Sequence, residues 1–237
     1  MMSLTGQTAI VTGGGRGIGR AVCLSLAKEG ANIVIVARHR EEIEETARMV
    51  KNIGTRALVI QADVRNEADV RDMILTTIEK CGRLDILVNN AGIAHRKPIE
   101  ETSLKEYEEV MDTNVKGVFL CSKHAIPYLS KSDNGKIINI SSGGGKHGLS
   151  DLSVYCASKF AVNGMTEALA SELSGRVMVY SVCPGAVDTE MYRSIFGDRP
   201  ALKPDHVAEK VLELSLPESN VISGSIIEVY APPVPLL

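Results

Sequence analysis

The sequence predicts an α/β protein built on one parallel, doubly wound sheet of about seven strands with helices on both faces. Short apolar runs alternate with helical patterns along the whole chain, and a glycine cluster follows the first run. No repeat, linker or low-complexity segment interrupts the alternation. A length of 237 residues suits a large core, so we expect a single domain over residues 1–237.

Composition excludes several classes of function. Hydrophobic residues make up 44% of the chain and charged residues 23%, which are ordinary globular values. The 26 basic and 29 acidic residues are mixed and form no basic stripe, so we expect no nucleic-acid partner. No signal core or membrane-length apolar stretch is found, which predicts a soluble cytoplasmic protein without a membrane partner. The five cysteines contain no Cys-x-x-Cys and are interpreted as core thiols, and we predict no metal site.

The first strand, Gln7 to Thr12, runs into a glycine-rich turn and then a helical pattern that stops at Gly30. Glycines let the backbone approach a pyrophosphate, which then rests on the helix N-terminus. The spacing G-x-x-x-G-x-G differs from the commoner G-x-G-x-x-G, and a plain turn is the alternative. The candidate cofactor contacts here are Thr12, Gly13, Gly15, Arg16, Gly17, Ile18 and Gly19.

The end of the second strand, Asn32 to Ala37, predicts the choice of cofactor. The acidic residue that would bind a ribose 2′-hydroxyl is absent, and Arg38 is available for a 2′-phosphate. NADP(H) is therefore favoured over NAD(H), and Arg16 would add positive charge at the same place. The alternative for both arginines is a solvated surface position.

Two further strands end in candidate cofactor residues. The strand Arg56 to Gln61 is followed by Asp63 and Val64, and Asp63 could meet the adenine edge or only begin the next helical region, Asn66 to Lys80. The fully apolar strand Leu84 to Val88 is followed by Asn89 and then by three further candidates. These three candidates are Asn90, Ala91 and Gly92. The Asn90 side chain could equally serve a structural role, by hydrogen-bonding backbone groups that are left unpaired where the strand ends.

A long helical region, Leu104 to Leu129, contains Asn114 in its interior. Asparagine there costs helix propensity and often bends or hydrates the backbone, so it could serve a proton path or be surface decoration. The next strand begins at about Ile137 and ends near Ser142, and a helix from about Ser153 to Leu173 follows it.

That helix contains Tyr155 and Lys159, four residues apart, so both side chains project from one face. A nearby ammonium favours the phenolate and moves the pKa of the tyrosine toward use as a general acid and base. Tyr155 is the only one of the six tyrosines with a lysine at this spacing. The alternative is an exposed helix pair.

The last part of the chain completes the sheet. The strand Arg176 to Cys183 leads into a Pro-Gly turn at the sheet edge where ligands bind in open α/β sheets. The helix Pro204 to Leu216 and the strand Ser225 to Tyr230 follow, and the tail Ala231 to Leu237 is rich in proline and cannot be helical. The candidate cofactor contacts in the turn are Pro184, Gly185, Val187 and Thr189.

Together the motifs resemble the short-chain dehydrogenase/reductase family, and the resemblance covers nearly the whole chain. The motifs are Thr12-Gly13-x-x-x-Gly17-x-Gly19, Asn89-Asn90-Ala91-Gly92, Asn114, Ser142, Tyr155-x-x-x-Lys159 and Pro184-Gly185. The resemblance implies a Rossmann fold and an enzyme that moves a hydride between a nicotinamide and a carbonyl or alcohol substrate.

The same resemblance implies a role for each catalytic candidate. Tyr155 would give or take the proton, Ser142 would hydrogen-bond the substrate oxygen, and Asn114 would anchor a water relay. Lys159 would hold the nicotinamide ribose and lower the pKa of Tyr155, and the segment from Pro184 to Thr189 would contact the carboxamide. We expect a ketone or 3-oxoacyl reductase. An NADP-linked alcohol, steroid or sugar dehydrogenase and a non-catalytic sensor of NADP(H) are the alternatives.

The sequence departs from the family pattern in three places, one of which is the short segment Ser174-Gly175-Arg176 before the strand that begins at Arg176. The stretch Glu190 to Lys203, where family members build a substrate lid, is brief, so we expect an open pocket. The tail Ala231 to Leu237 lacks the usual glycine pair, which puts one subunit contact in doubt. A homo-oligomer, a tetramer or dimer, remains implied because the small-residue face of the Tyr155 helix suits packing between subunits.

Overall fold

A computed structural model of the chain describes residues 3–230, and in it all seven strands are parallel. Their order across the sheet is β3-β2-β1-β4-β5-β6-β7, so the connections reverse direction beside β1. This is the predicted doubly wound Rossmann architecture. The strands are β1 Thr8–Thr12, β2 Asn32–Ala37, β3 Ala57–Gln61, β4 Ile86–Asn89, β5 Lys136–Ile140, β6 Met178–Pro184 and β7 Ile226–Val229.

Helices connect the strands and cover both faces of the sheet. Several begin or end at residues suited to capping: Asn66 accepts a hydrogen bond at the start of α3, and Gly54 and Gly82 adopt left-handed conformations at the ends of α2 and α3. The helices are α1 Gly17–Lys28, α2 Arg40–Ile53, α3 Glu67–Cys81, α4 Leu104–Met111, α5 Gly117–Leu129, α6 Ser153–Glu172, α7 Glu190–Phe196 and α8 Pro204–Ser215.

Alternating side chains of each central strand point into two separate apolar clusters. In β2, Ile33 and Ile35 pack with α1, α2 and α8, whereas Val34 and Val36 pack with α3, α5 and α6. Both faces of the sheet are therefore buried, which explains why the strands read as continuous apolar runs in the sequence. The tail Ala231–Leu237 lies outside the described residues.

The region Leu104 to Leu129 differs from the single helix that the sequence predicts. A π-helical turn, Asp112–Lys116, separates α4 from α5. The side chain of Asn114 is fully buried there and bonds to the backbone of Ile93, so it is turned inward and is not surface decoration. The sequence analysis expected Asn114 to disturb the helix, and the π-helical turn is the form that this disturbance takes.

Helix α7 is a second difference, because the sequence analysis assigned no helix to the segment after Thr189. Thr189 caps it by accepting a hydrogen bond from the backbone N–H of Tyr192, and Gly197 ends it in a left-handed conformation. None of its residues is buried, so the sequence has no apolar periodicity there that would predict a helix.

None of the helices within residues 3–230 combines the length and hydrophobicity needed to cross a membrane. The cytoplasmic location remains a prediction.

At the amino ends of the central strands, a buried carboxylate joins β1, β4 and β5. Asp85, which is 0% exposed, accepts hydrogen bonds from the backbone N–H of Thr8 (2.8 Å), from the Arg83 guanidinium (2.7 Å) and from the Ser132 hydroxyl (2.5 Å). Its own carbonyl accepts from the N–H of Lys136 at the start of β5. The amino ends of β1, β4 and β5 are thus fixed relative to one another.

Substituting Asp85→Asn should lower the free energy of unfolding by about 2–3 kcal/mol, because a charged acceptor of several buried hydrogen bonds becomes a neutral amide. Urea unfolding of the variant measures this loss. The matched control is Asp72→Asn, whose side chain is 69% exposed and should change stability little. Equal stabilities of the two variants would contradict the interpretation.

Candidate active site

A cavity of about 520 Å³ lies at the carboxyl edge of the sheet. Its walls are formed by the segments that follow β1 to β4, by the end of β5 and the segment after β6, and by α6. It spans the place where the strand order reverses, which is where open α/β sheets bind ligands. Of the predicted residues, the cavity is lined by Gly13, Gly15, Arg16, Gly17, Ile18, Arg38, Asp63, Val64, Asn90, Ala91, Gly92, Tyr155, Lys159 and Thr189.

Three glycines of the turn, Gly13, Gly15 and Gly19, leave no room for a side chain. A Cβ atom on Gly19 would lie 2.1 Å from the carbonyl oxygen of Gly13, and Gly13 itself has a φ of +63°. A Cβ on Gly15 would lie 2.7 Å from that of Glu42. Helix α1 begins at Gly17 without a side-chain cap, so its first N–H groups face the cavity without an acceptor from the capping residue. This cradle fits a dinucleotide pyrophosphate.

Thr12 and Asn90 support the turn from behind. The Thr12 hydroxyl accepts hydrogen bonds from the backbone N–H groups of Asn90 (3.0 Å) and Ala91 (3.1 Å). The Asn90 amide donates to the carbonyl oxygens of Thr12 (2.9 Å) and Gly13 (3.1 Å). Thr12 and Gly19 do not line the cavity, and in this structure both shape the turn that does.

The two candidate arginines are in different situations. Arg38 is exposed at the end of β2, and its guanidinium makes no hydrogen bond or close ion pair among the described residues, although its charge helps to lower the pKa of Asp63. Arg16, in contrast, lies 2.7 Å from a carboxylate oxygen of Glu190 and 3.5 Å from one of Glu42. Much of the positive charge of Arg16 is therefore already compensated.

Asp63 lines the cavity beside Val64, but its carboxylate is engaged. The Arg65 side chain donates to both of its oxygens, at 2.6 Å and 3.0 Å. This hydrogen bonding holds the pKa of Asp63 below its usual value, against a smaller opposing effect of burial. Asp63 is thus ionised and lies on the cavity wall with Arg65 as its partner.

Helix α6 places Tyr155 and Lys159 together, as their spacing predicts. The Lys159 ammonium lies 5.7 Å from the centre of the Tyr155 ring and donates to the carbonyl of Ile140 at 2.8 Å. Burial lowers the pKa of Lys159 to about 8. Burial also raises the pKa of Tyr155, while a hydrogen bond with Ser142 acts in the opposite direction.

The pKa of Tyr155 therefore differs from the sequence-based expectation. Lys159 was expected to lower it, but desolvation of the phenol is the largest effect, so the net shift is upward. The physical reason is that both side chains lie in a poorly hydrated site, where each neutral form is favoured. The phenol is protonated at neutral pH.

Ser142 and Asn114 adjoin this pair without lining the cavity. The Ser142 hydroxyl accepts from the N–H of Gly144 at 3.1 Å and interacts with Tyr155. The Asn114 amide donates to the carbonyl of Ile93 (2.9 Å) and to the Ser158 hydroxyl (3.0 Å), and its oxygen accepts from the N–H of Ile93. Asn114 thereby joins the segment after β4 to α6.

Three predicted residues at the end of β6 and just after it lie outside the cavity wall. Pro184 ends the strand, and a Cβ on Gly185 would lie 2.9 Å from the ring of Tyr230. Val187 is buried and forms a bridge with Leu202. Only Thr189 of this segment's four candidates faces the cavity.

Other cavity residues were not found from the sequence. They carry no motif, and the only available signal was that most of them follow strands at the carboxyl edge. They include Glu42, Ile93, Thr113, Ser141, Asp188, Glu190, Met191 and Arg193. The cavity is not lined by His95, Lys97, His147 or Tyr192, four polar residues from nearby loops and from α7.

Comparison with known proteins agrees with this geometry. The family model described as short chain dehydrogenase matches residues 7–200. The chain belongs to the short chain dehydrogenase family. It is an oxidoreductase that acts on carbonyl or CH–OH groups, and members of this family bind a nicotinamide cofactor.

Two curated relatives illustrate the range of the family. The chain is 37% identical to an NADPH-dependent pterin aldehyde reductase of Arabidopsis thaliana, covering 92% of this chain and 90% of the relative. It is 31% identical to a 3-oxoacyl-(acyl-carrier-protein) reductase of Thermotoga maritima, covering 95% and 97%.

A solved structure shows the same fold. It is the 3-ketoacyl-(acyl-carrier-protein) reductase of Brucella melitensis complexed with NADH, with a TM-score of 0.90 and 33% identity, covering 96% of this chain and 98% of that one.

The low pKa of Lys159 predicts how stability depends on pH. The folded chain loses this proton near pH 8 and the unfolded chain near pH 10.5, so stability should rise with pH between these values because the unfolded chain binds more protons. Above about pH 10 the raised pKa of Tyr155 has the opposite effect.

The free energy of unfolding should therefore rise less between pH 8 and pH 10 in Lys159→Met than in the unsubstituted chain. The expected difference between the two increases is about 1–2 kcal/mol. Urea unfolding at several pH values measures it, with the exposed Lys105→Met as the control. An undiminished gain in Lys159→Met would show that the lysine titrates normally.

Proposed function

We propose that this short chain dehydrogenase is an NADP(H)-dependent reductase of a ketone or 3-oxoacyl substrate. The observation that carries the proposal is the partly buried Tyr155 beside the buried Lys159 on the wall of a cavity whose other end contains a glycine cradle and the exposed Arg38. A carbonyl compound small enough to enter beside Tyr155 is the proposed substrate.

The cofactor would be held by groups already in position. The N–H groups at the start of α1 would receive the pyrophosphate, Lys159 would reach the nicotinamide ribose, and Thr189 would offer its hydroxyl to the carboxamide. Asp63 and Val64 would lie at the adenine. When bound, the nicotinamide supplies or accepts a hydride.

The chain's own groups would handle the proton. In the direction of reduction, the Tyr155 hydroxyl donates its proton to the substrate oxygen as negative charge develops there, and Ser142 donates a hydrogen bond to the same oxygen. The raised pKa of Tyr155 supports this role, since the phenol holds its proton at neutral pH. The Lys159 ammonium stabilises the phenolate that remains, and Asn114 supports a path for replacing the proton.

The preference for NADP(H) rests on Arg38. An exposed guanidinium at the end of β2 is suited to a 2′-phosphate, which accepts charge-assisted hydrogen bonds. One relative is an NADPH-dependent enzyme, whereas a structural neighbour is complexed with NADH, so the family alone does not decide the preference.

We further propose a homo-oligomer that uses α6. Ala157, Gly164 and Ala168 are exposed along this helix, and the side chain of Phe160 beside them is 48% exposed. Small residues with an exposed aromatic ring suit close packing against a second copy.

Substituting Tyr155→Phe should lower kcat by at least about 100-fold, because the proton donor is removed while the ring remains. NADPH consumption measures it against a panel of acetoacetyl thioesters, diketones, keto steroids, sugars and a pterin aldehyde. Binding of NADPH by calorimetry should be unchanged. Retained turnover in the variant would overturn the assignment of Tyr155.

Substituting Arg38→Asp should lower the ratio of kcat/KM for NADPH over NADH by about 10- to 100-fold, because an attractive charge is replaced by a repulsive one. The matched control is Arg40→Asp, since Arg40 is exposed two residues away and pairs with Glu44 at 2.7 Å. An unchanged ratio in Arg38→Asp would refute the argument from the second strand.

A further inference from the structure

Arg16 joins three parts of the molecule that are distant in sequence. It precedes α1 in the glycine turn, and its side chain contacts Glu42 in the first turn of α2 and Glu190 in the first turn of α7. Arg16 and Glu190 are 174 residues apart, yet their charged groups lie 2.7 Å from each other. All three residues line the cavity.

The position of Arg16 matters because the end of β2 is where this fold reads the ribose 2′ position. Arg38, His39 and Glu42 line this end of the cavity together with Arg16. A phosphate there would offer Arg16 an acceptor that competes with the two carboxylates. A bare hydroxyl would offer no such competition.

The contact with Glu190 is the stronger of the two and is exposed enough to exchange. Arg16 is 54% exposed and Glu190 is 66% exposed, and their distance is shorter than the 3.5 Å between Arg16 and Glu42. Exposed pairs of this kind contribute little to stability, so a dianionic ligand can displace the carboxylate.

Helix α7 depends on such surface contacts. None of its residues is buried, and Arg193 on its second turn pairs with Asp188 rather than with the core. The ion pair to Arg16 therefore contributes to holding the first turn of α7 at the cavity mouth.

We propose that Glu190 sets the preference between NADP(H) and NAD(H) by competing with the 2′-phosphate for Arg16, and so couples the position of α7 to which cofactor is bound. This inference rests on the proposed function and deepens it. Glu190 is a positioning residue that acts through Arg16. By linkage, Glu190 and a bound 2′-phosphate weaken each other's contact with Arg16.

The test compares the affinities of the full chain for NADPH and NADH by calorimetry. Glu190→Gln should tighten NADPH binding about two- to fivefold, the range expected for removing an exposed ion-pair competitor, and leave NADH binding unchanged. The matched control, Asp198→Asn, removes an exposed charge just beyond the other end of α7 and should change neither affinity.

A second variant tests whether the effect passes through Arg16. In an Arg16→Ala background, Glu190→Gln should no longer alter NADPH affinity, because the shared guanidinium is gone. A tightening that persists there, or one that is equal for NADH and NADPH, would overturn the proposal while leaving the reductase assignment intact. A chain that binds neither dinucleotide would overturn both.

Discussion

The close approach between the turn after β1 and the start of α1 is the constraint on which the site depends. Gly19 lies so near the Gly13 carbonyl that a Cβ would be 2.1 Å from that oxygen, and the Asn90 amide fills the remaining space by donating to the same carbonyl. The hydroxyl of Thr12 then fixes the chain after β4. These contacts therefore hold both the glycine turn and the segment after β4 in place, and they do so without a ligand.

A second set of contacts fixes helix α6, which contains Tyr155 and Lys159, relative to the segment after β4. Asn114 binds the backbone of Ile93 and the hydroxyl of Ser158, and Ser158 donates to the carbonyl of Tyr155 at 2.6 Å. On the other side, Lys159 is bound to Ile140 at the end of β5. The π-helical turn is what brings Asn114 inward. Asparagine is unfavourable inside a helix, but Asn114 is needed here because its side chain connects Ile93 to Ser158.

Features that depend on local residue patterns could be predicted from the sequence. Apolar periodicity placed the seven strands and most helices within a few residues, and the Tyr155 and Lys159 spacing predicted their shared face. It could not predict α7, because an exposed seven-residue helix has no apolar stripe. Nor could it predict that Arg16 pairs with Glu190, because that contact depends on how β6 and β1 are arranged in the sheet. The direction of the Tyr155 pKa shift required the burial of the folded site.

The electrostatics of Tyr155 and Lys159 favour one direction of proton transfer. Burial pushes both groups toward their neutral forms, which raises the pKa of the phenol and lowers that of the ammonium to about 8. At neutral pH the phenol is then a proton donor and the lysine is still mostly charged, so it can stabilise the phenolate formed by donation. In the proposed mechanism, oxidation of an alcohol would need the phenolate at the start, a form that burial disfavours. Positive charge on an oxidised nicotinamide would offset this penalty.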